Sequence, residues 1–102
     1  MVIYKYPIIG ADVSPHVKIE MPRFSKVLSA GFDPNDRLCI WATVNERLEE
    51  AKDMVYKNIY CVGTGWPLHE IIDKDSPCYF IDTIKRGPYM WHIFEGKEEE
   101  IE

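Results

Sequence analysis

The amino-acid sequence predicts an all-β domain: a small antiparallel sheet curled into a sandwich or partial barrel, with about seven short strands and at most one or two short helices. Apolar side chains recur at every second position along most of the chain, which is the period of a β-strand. Clusters of Pro, Gly, Asn and Asp separate these segments where turns are expected. With 102 residues, of which 46% are hydrophobic, the chain can form one domain around one core.

The first two strands are predicted from this alternation. Apolar side chains fall on one face of residues 2–8, and Pro7 places the segment at a sheet edge or near the end of a strand, because Pro has no amide hydrogen to donate. Residues 10–15 are predicted to form a loop. Residues 17–21 alternate again before Pro22 and are predicted to form the second strand.

The next two strands are predicted to form an antiparallel hairpin. Residues 26–32 alternate and end at the Asp-Pro-Asn-Asp cluster of residues 33–36, which is a strong turn signal. Residues 38–44 are nearly continuous in apolar character, as expected of a central strand that is buried on both faces. We therefore expect both Ile40 and Trp41 to be largely buried.

The middle of the chain holds the only helical signals. Residues 45–54 carry carboxylates at helical spacing behind Asn45, a residue type that caps helix N-termini, so they are predicted to form a short surface helix or a mobile excursion. Residues 55–62 return to the strand pattern. Residues 67–73 are predicted to form one helical turn, since Pro suits the first helical position.

Two final strands, residues 78–84 and 89–94, are predicted to pair as a hairpin around residues 85–88. The folded domain is therefore expected to span residues 1–95. The acidic segment 96–102 has too few apolar side chains to order itself and is expected to fray. Because residues 89–94 carry bulky side chains on both faces, a second subunit is expected to cover them in a homo-oligomer, most simply a dimer.

Charge and composition disfavour several classes of protein. The chain has 17 acidic and 12 basic side chains, whereas binding to a nucleic-acid backbone normally needs a basic face, so direct nucleic-acid binding is not expected. No run approaches the ~20 apolar residues of a membrane span, and no secretory pattern opens the sequence, which favours a cytoplasmic protein without membrane contact. The widely spaced Cys39, Cys61 and Cys78 are interpreted as reduced thiols.

The predicted working surface is the GTGWP loop, which comprises Gly63, Thr64, Gly65, Trp66 and Pro67 and directly follows a strand. Its glycines indicate a turn with positive φ, and an anion-binding loop is the alternative. The loop lacks the remaining residues of the dinucleotide and P-loop motifs, and Pro67 removes one amide donor. The Trp66 ring is expected either to project as an interaction hot spot or to fold back over the sheet.

No catalytic constellation can be assigned from spacing. His16, His69 and His92 do not form zinc-ligand pairs with one another or with the cysteines, so no metal site is predicted. No two carboxylates can be assigned to one pocket, and Cys39 and Cys61 lack a basic sequence neighbour that would activate a thiol. We therefore predict no catalytic residues and no cofactor.

Six segments occur in the same order as in a known group of proteins. They are Ile3-Tyr-Lys-Tyr, Ile19-Glu-Met-Pro, Lys26-Val-Leu-Ser, Leu38-Cys-Ile-Trp-Ala, Val62-Gly-Thr-Gly-Trp-Pro and Trp91-His-Ile-Phe-Glu95. Together they resemble a family of short proteins encoded by tailed phages and prophages, described only as a domain of unknown function. The resemblance spans nearly the whole chain and implies a phage origin and a compact β-rich fold, with no catalytic residues to carry over. The chain departs from the family by longer insertions at residues 45–53 and 73–77.

The leading hypothesis is a non-enzymatic phage accessory protein that binds a host protein, such as a defence component, in the cytoplasm of the infected bacterium. The GTGWP loop and the neighbouring aromatic surface would form the contact. A first alternative is an oligomeric sponge for a small nucleotide-like signal, which requires basic side chains clustered on one face. The candidates for that face are Arg23, Lys26, Arg37, Lys85 and Arg86. A second alternative is a small enzyme, which requires a deep cleft with perturbed carboxylates, or His92 beside a nucleophile.

Overall fold

A computed structural model describes residues 1–8, 14–72 and 77–101. These residues contain seven strands and two short helices. In chain order they are β1 (Val2–Pro7), β2 (His16–Pro22), β3 (Lys26–Phe32), β4 (Leu38–Val44), α1 (Glu46–Glu50), β5 (Met54–Gly63), α2 (Leu68–Ile71), β6 (Tyr79–Arg86) and β7 (Tyr89–Glu100).

The strands form two antiparallel sheets, and the predicted all-β class is confirmed. One sheet has three strands in the order β1-β4-β3, and the other has four in the order β2-β5-β7-β6. The inward faces of both sheets contribute to one core, which includes Leu38 and Ile40 from β4 and Ile59, Cys61 and Ile93 from β5 and β7. This arrangement is a small sandwich, in which each sheet has one covered face.

Both predicted hairpins are confirmed by the strand register. β3 pairs with β4 from Lys26 opposite Thr43 to Phe32 opposite Leu38, with a bulge that follows Val27. β6 pairs with β7 through the turn after Arg86. In each case the local turn chemistry and the flanking alternation were sufficient to define the pair.

β4 lies at the centre of its sheet, as predicted, but only part of the burial prediction holds. Ile40 is fully buried in the core between the sheets. Trp41 is only partly buried, so the expectation that it would be largely buried is wrong. Successive side chains in a strand point to opposite faces, and Trp41 therefore lies on the outward face of the three-stranded sheet.

The two helices are short and lie between strands, as predicted. The Asn45 side chain accepts a hydrogen bond from the backbone N–H of Arg47 and so caps α1. α1 ends in a Schellman motif, in which Asp53 N–H donates to Leu48 O and Lys52 has the left-handed φ of +57°. α2 follows Pro67 directly, and position 73 of the predicted helical turn lies outside the described residues. Neither helix has the length and apolar character that crossing a bilayer would require.

The predicted frayed tail is wrong for residues 96–100, which form the end of β7. They pair with β5 as far as Glu100 opposite Val55, so the folded domain extends beyond the predicted boundary at residue 95. Residue 102 lies outside the described residues. The segment is acidic and carries few apolar side chains, but it is ordered because it pairs with residues that are distant in sequence.

Basic side chains of β2, β5 and the turn after β2 form ion pairs with this acidic strand. Lys57 Nζ lies 3.1 Å from a Glu95 carboxylate oxygen and 3.3 Å from a Glu98 oxygen. Lys18 forms an ion pair with Glu99 at 2.6 Å, and Arg23 forms one with Glu100. The pairings put carboxylates beside cations that the sequence separates by about 40 to 80 positions.

Candidate functional site

A row of aromatic rings crosses the outward face of the four-stranded sheet. The register places Tyr60 opposite both His16 and Phe94, and it places Phe94 opposite Phe80. The rings of His16 and Tyr60 stack with centroids 4.5 Å apart, and Phe80 meets Phe94 edge-on at 5.7 Å. Because side chains directly opposite one another share a face of the sheet, these four residues form one continuous aromatic row.

Exposure along the aromatic row is lowest at Tyr60, in the interior of the sheet, and highest at Phe80, on the β6 edge. Tyr60 is 9% exposed, whereas Phe80 on the edge strand β6 is 60% exposed and its neighbour Tyr79 is 67% exposed. The row is therefore packed at Tyr60 and accessible at its β6 end. Large apolar side chains grouped at an accessible edge are typical of an interaction surface.

The GTGWP loop forms a tight turn beside the aromatic row, and the predicted positive φ is confirmed. Trp66 N–H donates to Gly63 O at 3.1 Å, and Gly65 at the third position of the turn has a φ of +87°. This is the geometry of a type II turn, which favours Gly at that position. The Thr64 N–H donates to Met90 O and fixes the loop to β7.

The Trp66 ring combines the two predicted orientations. A Cβ on Gly63 would lie only 2.7 Å from the indole, so the ring lies against the bare backbone of Gly63. The side chain nevertheless remains 48% exposed. One part of the indole thus packs against the chain and the other is presented to solvent, in an orientation that depends on a glycine at position 63.

Two adjoining hollows lie between this loop, α2 and the aromatic row. The smaller, of about 170 Å³, is lined by residues of the GTGWP loop with Val62, Leu68, His92 and Phe94. The larger, of about 330 Å³, is lined by Leu68, His69, Ile72, Cys78 and Phe94. Because Leu68 and Phe94 line both hollows, these form one predominantly apolar groove, called the loop groove below.

His92 carries the main polar contacts at the loop groove. Its Nε2 lies 2.8 Å from Thr64 Oγ1, and its Nδ1 lies 3.0 Å from Thr83 Oγ1. A neutral imidazole has one donor and one acceptor nitrogen, so one hydroxyl donates to the ring and the other accepts from it. His92 thus lies beside a hydroxyl, which is part of the arrangement required by the enzyme hypothesis, and the nearby Asp82 carboxylate accepts from the backbone N–H of Thr83 at 2.9 Å.

A family model described as "Domain of unknown function (DUF7352)" matches residues 1–102. The chain belongs to this family. Its description gives no activity, ligand or partner. No curated protein and no solved structure matches the chain in the same comparisons.

In this member of DUF7352, the basic residues proposed as a second binding group do not form one free face. Arg23 is paired with Asp53 and Glu100, and Arg37 is paired with Asp33. Lys26 begins β3, whereas Arg37 precedes β4 at the opposite end of the same hairpin. At ~3.3 Å per residue, the seven-residue β3 separates the two by roughly 20 Å. Arg23, Lys26 and Arg37 therefore do not form one basic face, whereas Arg86, a further candidate of the sponge hypothesis, lies against Phe32 near the Arg37 end of the hairpin.

The described thiols are not activated, and the described side chains do not gather into a metal site. Burial raises the pKa of Cys61 to about 12 and also raises the pKa values of Cys39 and Cys78. A raised pKa disfavours the reactive thiolate. In the part of the chain that the structure describes, no three His, Cys, Asp or Glu side chains are placed to hold a metal ion.

Sequence reasoning missed much of the accessible surface of this DUF7352 member. It identified the GTGWP loop but not Leu68, Phe80 or Phe94 as its neighbours. Both Phe residues were in predicted strands, and their contact depends on which residue of β6 lies opposite which residue of β7. A bulge next to Phe80 shifts that register, and the sequence contains no distinct signal for it.

Proposed function

We propose that the protein is a non-enzymatic binding module that docks a protein partner through the GTGWP loop and the adjacent aromatic surface. The observation that carries the proposal is the half-exposed Trp66 at the rim of the loop groove. A rigid loop that presents an aromatic ring beside a hollow is a common form of interaction hot spot, since little entropy is lost when the ring is covered.

The lining of the groove favours an apolar protein segment over a phosphate-bearing ligand. Among the described residues, the lining of the smaller hollow contains no Asp, Glu, Lys or Arg. A nucleotide would need cations or several free amides around its phosphates. Apolar side chains of a protein partner would instead cover Trp66, Leu68 and Phe94 without leaving a buried charge unpaired.

The biological part of the proposal rests on the resemblance of the sequence to phage proteins. The protein would act as a phage accessory factor in the cytoplasm of an infected bacterium. Its partner would be a host protein, such as a defence component. The apolar groove supports a protein as the partner class, and the resemblance supports the host as its source.

Affinity capture from a lysate of phage-infected bacteria tests this function. We expect wild-type protein to retain one host protein in a fixed ratio, and Trp66→Ala to bind that protein roughly 30-fold more weakly, as expected for loss of a hot-spot side chain. The matched control is Ile3→Thr, which alters a 59% exposed apolar residue on the outward face of the other sheet. This control should retain the partner.

Thermal melting separates binding from folding in the same variants. A loop-tip aromatic contributes little to the core, so the melting temperature of Trp66→Ala should remain close to that of the wild type. If Trp66→Ala melts far lower while its binding per folded molecule is unchanged, Trp66 serves as a lid and the proposed contact surface is wrong.

A second candidate function is acyl transfer, favoured by the 2.8 Å contact between Thr64 Oγ1 and His92 Nε2. Thr64 Oγ1 would attack an ester carbonyl while His92 Nε2 takes the hydroxyl proton and Thr83 Oγ1 accepts from Nδ1–H. The ester's alcohol would leave with the proton from Nε2, and water, deprotonated by the same nitrogen, would then hydrolyse the acyl-Thr64 bond and restore the hydroxyl. Hydrolysis of a small chromogenic ester tests this role: Thr64→Ser should retain turnover, and Thr64→Val should abolish it. Equal rates for wild type and Thr64→Val would exclude the activity.

A further inference from the structure

Phe24, at the tip of the turn between β2 and β3, is the most exposed aromatic side chain in the described ranges, at 78%. Ser25 N–H donates to Pro22 O at 3.2 Å, which closes a four-residue turn with Phe24 at its third position. Phe24 has a φ of +64° there. That position of a type II turn favours Gly or Asn, because a Cβ is strained in the left-handed region.

The other left-handed residues have local explanations that Phe24 lacks. Gly65 occupies the equivalent position of the GTGWP turn and has no Cβ. Asp36 is of a type that tolerates this region, and Lys52 follows the C-terminus of α1 in its Schellman motif. A bulky aromatic residue with positive φ is uncommon, and such strained residues tend to occur where a protein makes functional contacts.

The turn that carries Phe24 is braced from both sides. Arg23 N–H donates to Asp53 O, and the Arg23 guanidinium binds the carboxylates of Asp53 and Glu100. The buried Ser25 hydroxyl donates to Pro22 O at 2.6 Å. Phe24 is therefore presented on a fixed support, and little conformational entropy would be lost when a partner covers it.

A hollow of about 570 Å³ lies next to this turn. Its lining includes Arg23 and the apolar residues Met54 and Ile101, and it is rimmed by four carboxylates against two cations. Lys26, two residues beyond Phe24, is exposed and has no ion pair within the described residues. The molecule thus presents an aromatic ring with a nearby cation directly beside a hollow whose lining is mostly charged, with an acidic rim and the two apolar side chains of Met54 and Ile101.

We infer that this surface binds a second copy of the chain. Because the projecting ring and the hollow are neighbours, a two-fold axis between two copies would place each Phe24 in the partner's hollow, against Met54 and Ile101. The same axis would bring each Lys26 to the partner's acidic rim, which gives the contact charge complementarity. The interface is thus isologous, and it lies away from the GTGWP loop.

Sedimentation equilibrium across the micromolar range tests the interface. Wild type should sediment as a dimer, and Phe24→Asn should weaken the dimer at least about 30-fold because both copies lose a central aromatic anchor. Asn tolerates positive φ, so this variant should melt at the same temperature as the wild-type monomer or above it. A wild type that stays monomeric, or a Phe24→Asn variant that stays dimeric, would overturn the inference.

Two further measurements locate the contact. A photo-crosslinking phenylalanine analogue at position 24 should join two copies and map to Met54 or Ile101 of the second one. Tyr89→Ser is the matched control. Tyr89 is 68% exposed at the start of β7, the strand whose bulky residues give the alternative oligomer contact. Loss of the dimer in Tyr89→Ser, or crosslinks that map elsewhere, would contradict the Phe24 interface.

Discussion

At the scale of single residues, Asp33 shows how one buried carboxylate organises a predicted turn. Its Oδ1 accepts the backbone N–H groups of Asn35 and Arg37, each at 2.9 Å. Its Oδ2 accepts from Lys5 Nζ at 2.9 Å and from the Arg37 guanidinium. These bonds stabilise the ionised form and hold the pKa of Asp33 well below its usual range.

The lowered pKa of Asp33 predicts a loss of stability in acid. A carboxylate with a depressed folded-state pKa contributes stability above its ordinary pKa near 4, and this contribution is lost as the pH falls further. Urea midpoints of the wild type should therefore fall in this acidic window. In Asp33→Asn the midpoint should be lower at neutral pH and change less with acid. Asp36→Asn changes an exposed site in the same turn, and its urea midpoint should vary with pH as that of the wild type does. A wild-type midpoint that stays constant in acid would contradict the prediction.

Cysteine reactivity is predicted from the positions of the three thiols. Cys39 and Cys61 are buried, whereas Cys78 is only partly buried and lines the loop groove. A chromogenic disulfide reagent at mildly alkaline pH should therefore react with Cys78 first, and with Cys39 and Cys61 only after unfolding. Native Cys78→Ser should show no early reaction. Early labelling of Cys61 would show that the core opens more readily than its packing indicates.

At the scale of elements, the end of β7 depends on contacts with β2 and β5. Asn58 is buried at the bulge in β5, where its Nδ2 donates to Lys97 O at 2.8 Å and its Oδ1 lies 2.6 Å from His16 Nε2. A Cβ on Gly96 would lie 2.7 Å from the Tyr60 ring, so the strand passes close to the aromatic row. Asn58 is thus a buried polar link, beside that of Lys57, between the last residues of β7 and the sheet.

Asn58→Ala should release the end of β7 without unfolding the rest of the protein. Loss of a buried hydrogen-bonding side chain costs about 1–3 kcal/mol of unfolding free energy. Hydrogen exchange should accelerate at the amides of residues 97–100 and change little in β4. Asn35→Ala, at an exposed turn position, serves as the control. Unchanged protection of residues 97–100 would mean that the ion pairs alone hold the strand.

The same segment marks the limit of prediction from sequence at this scale. Hairpins β3–β4 and β6–β7 were predictable because their turns and alternation are local. The order of residues 96–100 was not predictable from the local sequence. It depends on Lys18, Lys57 and Asn58, which lie beside this segment only when β5 pairs with both β2 and β7. The GTGWP turn was likewise predictable from its glycines, whereas the aromatic row required the register of four strands.

At the scale of the whole molecule, the division into two sheets separates the candidate surfaces. The loop groove is on the outward face of the four-stranded sheet, while Phe24 is at the β2–β3 turn, one of the connections between the two sheets. The Arg86 guanidinium lies 5.6 Å from the Phe32 ring and 5.9 Å from the Trp91 ring, and so connects β3 of one sheet with β7 of the other. The sequence predicted the all-β class but not the division of the strands between two sheets, because the local sequence of a strand does not determine which sheet it joins.

The strand order also has a consequence for synthesis of the chain on the ribosome. β5, with most of its residues buried, is flanked by β2 and β7, and β7 follows every other strand along the chain. Until β7 emerges, a nascent chain exposes one edge of this largely buried strand, which is a site for chaperone binding or aggregation. Chains stalled before residue 89 should therefore be degraded rapidly by a protease and bind a holdase chaperone. Chains stalled with residues 89–100 outside the tunnel should resist the protease, and equal sensitivity of the two would show that the first six strands fold on their own.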